Sequence, residues 1–77
     1  MTRLQGLVTF RDIGMGCWEF TSNDGHRYEI VGGDDALYKD GQHAAIQGRI
    51  LEDAMSAGNI GPVFEVQSSE ITSRDPQ

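Results

Sequence analysis

Glycine, together with an alternation of apolar and polar side chains, governs what this chain can become. Ten glycines stand among 77 residues. Between them the apolar positions recur every second residue, which is the spacing of a strand with one buried face. Leu4, Gly6, Val8 and Phe10 alternate with Gln5, Leu7, Thr9 and Arg11, so residues 4–11 read as a first strand. Gly14-Met15-Gly16 breaks that pattern as a loop. Trp18 and Phe20 mark a second strand, and Tyr28 and Ile30 a third that ends at Gly32-Gly33. In a fourth, Ala44, Ile46, Gly48 and Ile50 face inward while Gln47 and Arg49 face out. The last strand, 63–67, turns Phe64 and Val66 inward and extends towards Ile71. Residues 54–62 read as a long loop of small residues, and 72–77 as a disordered polar tail after a single domain spanning 1–71.

The turn between the second and third strands can be argued in register. Pairing Phe20 with Tyr28, and Trp18 with Ile30, keeps all four apolar side chains on one face. That register leaves Asn23-Asp24-Gly25 as a three-residue loop, with Gly25 where the left-handed residue of such a loop belongs. A two-residue loop would slip the register by one and set Phe20 against Glu29.

Residues 34–40 carry Asp34 and Asp35 first and Lys39 late, ahead of Gly41. Those are helix start and stop signals on a stretch long enough for one or two turns. Five short strands with a helical turn between the third and fourth predict an all-β chain closed into a small OB-like barrel. Closure removes the exposed edges of strands too short for a stable open sheet. Gly6, Gly48 and Gly32-Gly33 suit its tight corners. An SH3-like barrel, with the same strand count and other connections, is the alternative.

The string Gly16-Cys17-Trp18-Glu19-Phe20, then Asp24-Gly25-His26-Arg27-Tyr28-Glu29-Ile30 and Gly32, resembles small bacterial OB-fold domains of unknown function. In those a G-x-W-x-L…D-G-x-x-Y-x-L-x-G hairpin precedes a G-x-x-V-x-V-x-G strand and a closing G-x-x-(F/L)-x-V strand. Residues 41–48 and 61–66 match the latter two. The resemblance covers most of residues 4–71 and implies the fold; it carries no activity.

Composition narrows the function classes. Six Lys and Arg against twelve Asp and Glu leave a formal charge of −6. Nucleic-acid phosphates and anionic membrane surfaces both reward the opposite sign. No apolar run approaches the roughly 18 residues of a membrane span. One cysteine excludes an internal disulfide and a cysteine-cage zinc site. With no apolar leader at the start, the expected compartment is the cytoplasm.

Candidate chemistry is sparse. Cys17, His26 and His43 are the conventional nucleophile and base types, yet the strand assignments hold Cys17 and His26 at opposite ends of the hairpin. The glycines match neither phosphate-binding pattern. Glu19 falls opposite Glu29 as an acidic surface pair, with Arg11, Arg27 or Arg49 near enough to neutralise it. Two carboxylates alone do not make a cation site, so no metal, cofactor or enzymatic activity is expected. Met55, Asn59 and Ile60 lie in the long 54–62 loop, as a contact site for another protein or as a plug for one end of the barrel. The expected function is a non-enzymatic protein-binding or adaptor module. The alternative is oligonucleotide or small-ligand binding in the barrel groove.

Overall fold

The computed structural model describes residues 2–14, 16–52 and 60–72. Five strands, β1 (Thr2–Arg11), β2 (Cys17–Ser22), β3 (Arg27–Gly32), β4 (Gln42–Leu51) and β5 (Val63–Ile71), form one sheet. It closes in the order β1-β2-β3-β5-β4. The β3–β5 pair is parallel and the others antiparallel, β1 pairing with both β2 and β4. A short 3-10 turn, η1 (Asp35–Leu37), lies between β3 and β4. This is the connection of an OB barrel, and it excludes the SH3-like alternative.

The hairpin register is as the pattern requires, with Phe20 opposite Tyr28 and Glu19 opposite Glu29. Gly25 has φ +93° in the turn, a left-handed conformation that a side chain would strain. Gly6 and Gly48 stand where neighbouring strands approach closely. A Cβ at either would lie 1.9 Å from a backbone oxygen, that of Thr21 for Gly6 and of Glu65 for Gly48. At Gly48 the β4–β5 register also shifts.

Inside, Val8, Phe20, Ile30, Ala44, Ile46, Phe64 and Val66 pack with Leu37 into one core. Leu37 comes from η1 rather than from a strand, and it is completely buried. Asp34 accepts a hydrogen bond from the Ala36 N–H at 3.3 Å and starts this turn. The helical stretch over 34–40 contracts to three residues, because the chain must reach β4 at Gln42 and the Gln42 side chain takes up the Ala36 and Leu37 carbonyls.

The inward assignment of Ile50 needs correction. Ile50, and Phe10 at the parity of buried Val8, are both exposed. Each stands within a residue of its strand's end, where an inward side chain has passed the core and reaches a mouth of the barrel. The Thr72 N–H donates to the His43 carbonyl at 3.0 Å. Residues 73–77 lie outside the described ones. No helix among the described residues is long and apolar enough to cross a membrane.

Candidate functional site

The mouth where β1 and β3 end and β2 begins carries a cluster that alternation alone does not reveal. Phe10 and Trp18 are cross-strand partners on β1 and β2. Their rings meet edge to face with centroids 5.0 Å apart. Trp18 meets Tyr38, just past η1, in the same manner at 5.5 Å and 66°. Such contacts favour a fixed ring arrangement beyond the area they bury. The Tyr38 hydroxyl donates to the Gly32 carbonyl, which ties the ring to the end of β3. Beside these rings an open hollow is lined by Trp18, Ile30, Gly32, Gly33, Asp35 and Tyr38.

Burial, and after it the Asp35 carboxylate, pushes the Tyr38 phenol above its ordinary value, so the hydroxyl stays protonated near neutrality. Asp40 accepts the Phe10 N–H at 2.9 Å and pins the end of β1. At this end of the barrel, Phe10 and Ile13 stand 42% and 43% exposed. The sequence did hold a signal for this cluster. Phe10 and Trp18 sit one residue from the adjoining ends of paired strands, where inward parity no longer means burial.

On the outside of β1, β2 and β3 the acidic pair takes a different form. Glu19 is opposite Glu29, but it is not a solvated surface charge, because its side chain retains only 2% exposure. Arg11 and Arg27 occupy the diagonal positions on the neighbouring strands and converge on it. Arg11 Nε donates to Glu19 Oε1 at 2.5 Å, and Arg27 Nε lies 3.6 Å from Oε2. Oε2 accepts no hydrogen bond among the described residues, so the Arg27 charge is its compensation. Arg49 turns elsewhere and pairs with Glu65 at 2.9 Å.

The nucleophile and base types do not meet. Cys17 is buried and points its Sγ at the Ile13 carbonyl, 3.9 Å away. His26 sits in the β2–β3 turn, with Nδ1 3.1 Å from Asp24. His43 lies opposite Leu7 on β4, while Cys17 lies opposite Arg11, four residues further along β1. Among the described residues no group of three or more His, Cys, Asp or Glu side chains is placed to hold a metal ion.

Of the loop residues singled out by sequence, Met55 and Asn59 lie outside the described residues. Ile60 is half-buried at the loop's end. Two residues on, the Pro62 carbonyl accepts the Glu29 N–H at 2.9 Å, so the chain is already laced to β3 there. No family model, curated protein or solved structure matches this chain.

Proposed function

We propose that this chain is a non-enzymatic binding module whose partner is another protein. The concentration of half-exposed aromatic and aliphatic side chains at one mouth carries the reading. Phe10, Trp18 and Tyr38 are held in fixed mutual geometry, and exposed Ile13 stands in the β1–β2 connection at the same end of the barrel. Aromatic anchors of this kind dominate protein contacts, whereas scattered single apolar residues do not mark them. A reducing compartment, the cytoplasm, suits a chain whose single cysteine forms no bridge. Oligonucleotide binding in the groove has less support. Arg11 and Arg27 are both held by Glu19, and Arg49 by Glu65, so their charges are already matched.

Affinity capture from cells that make the protein tests this reading. The wild-type chain is compared with Phe10→Asp/Ile13→Asp and with Met55→Asp/Ile60→Asp, each checked for fold by circular dichroism. A partner held by the wild type and lost from the first pair supports the aromatic mouth. Loss from the second pair alone would move the contact to the β4–β5 loop. Identical captured proteins in all three, or tight salt-sensitive binding of labelled single-stranded DNA, would overturn the reading.

A further inference from the structure

Three aspartates crowd the segment between β3 and β4, and two of them have work within the fold. Asp34 caps η1 through the Ala36 N–H, and Asp40 holds the Phe10 N–H. Asp35 lines the hollow beside Trp18 and Tyr38. Among the described residues no cation pairs with it; the recorded ion pairs join Arg3 to Glu70, Arg11 and Arg27 to Glu19, His26 to Asp24, and Arg49 to Glu65. Two aromatic rings at 66° and one unpaired carboxylate therefore share one open hollow.

We propose that this hollow receives an arginine side chain of the partner protein, its guanidinium lying against Trp18 and Tyr38 and paired with the Asp35 carboxylate. The inference rests on the binding-module reading and names the chemistry that its mouth selects. An apolar side chain seated here would strip water from Asp35 and return nothing to it. An anion meets that same carboxylate on a chain of net charge −6. Guanidinium satisfies both halves of the site: it is weakly hydrated, stacks on aromatic rings, and offers a planar fork to a carboxylate. The Tyr38 hydroxyl is already committed to the Gly32 carbonyl, so this residue contributes its ring.

Trp18 is the only tryptophan in the sequence, so intrinsic fluorescence reports on the hollow directly. The probe is the tripeptide acetyl-Gly-Arg-Gly-amide, titrated at low salt beside its citrulline counterpart, which keeps the shape and loses the charge. The expected result is a saturable change with Kd on the order of millimolar, as suits a single side chain. Citrulline should bind about tenfold more weakly, and Asp35→Asn should weaken the arginine peptide about fivefold to tenfold while leaving the citrulline peptide unchanged. Equal affinity for the two peptides, an unchanged Asp35→Asn, or no saturable change would overturn the assignment. The two proposals fail separately. A captured partner that depends on Phe10, without any arginine response, removes the arginine assignment and keeps the module. An arginine response with no protein captured does the reverse.

Discussion

Glu19 on the outside of β2 and Asp35 over the neighbouring mouth are carboxylates put to opposite uses. Glu19 is sealed, its charge answered by Arg11 and Arg27 from the strands on either side. Asp35 stands in an open hollow beside two aromatic rings, unanswered by any cation among the described residues. A carboxylate that is paired within its own sheet serves folding. One left unpaired beside aromatic walls is available to something outside the chain. The net charge of −6 therefore says less about partners than its distribution does.

That contrast can be broken at several points. Leu37 buries completely beneath the mouth and anchors η1 to the core. Leu37→Ala should cost about 3 kcal/mol in urea unfolding, and the arginine response should fall with it. An unchanged midpoint would mean that η1 is not held by this side chain. Next comes the sealed side. Arg11→Met/Arg27→Met keeps the side-chain stems and removes both charges, leaving Glu19 buried and unanswered. The expected cost is about 2 kcal/mol, below that of a fully buried pair because the two arginine side chains are 46% and 61% exposed. Adding Glu19→Gln should recover most of it; purely additive losses would show that the charges are not coupled.

Smaller effects sharpen the other side. Asp35→Asn should change stability by less than about 0.5 kcal/mol, since the carboxylate has no ion pair to lose. It should also lower the Tyr38 phenol, read by ultraviolet titration, while burial still keeps that phenol above its ordinary value. A third acid serves as reference. Asp24 is held at about 2, first by the Ser22 hydroxyl and then by His26. Because its folded value lies below the ordinary 3.8, its contribution is complete above 3.8 and is lost as pH falls towards about 2. Asp24→Asn should remove that acid-side decline, whereas Asp35→Asn should leave it in place.

Most of the barrel was legible because its rules are local. The spacing from Trp18 to Ile30 admits one register that keeps four apolar side chains together, and Gly25 supplies the turn that this register needs. Gly6 and Gly48 stand at close approaches that only a missing side chain permits. Of the mouth only the end positions of Phe10 and Trp18 were legible. Alternation assigns Phe10 to the inner face but does not say where along a strand the core ends. Tyr38 reaches Trp18 only through the path of a 3-10 turn. The state of Glu19 was half legible: its partner across the sheet follows from the register, but its burial depends on two diagonal arginines that strand spacing alone does not converge.

Nuclear magnetic resonance of the uniformly ¹⁵N-labelled chain, titrated with the arginine tripeptide, compares both regions in one measurement. An arginine seated in the hollow should give saturable shifts at the Trp18 indole N–H and at the backbone amides of Gly32, Gly33 and Asp35, with Glu19, Arg11 and Arg27 unmoved. Shifts concentrated on the Glu19 face, or at Ile60 at the end of the β4–β5 loop, would contradict it.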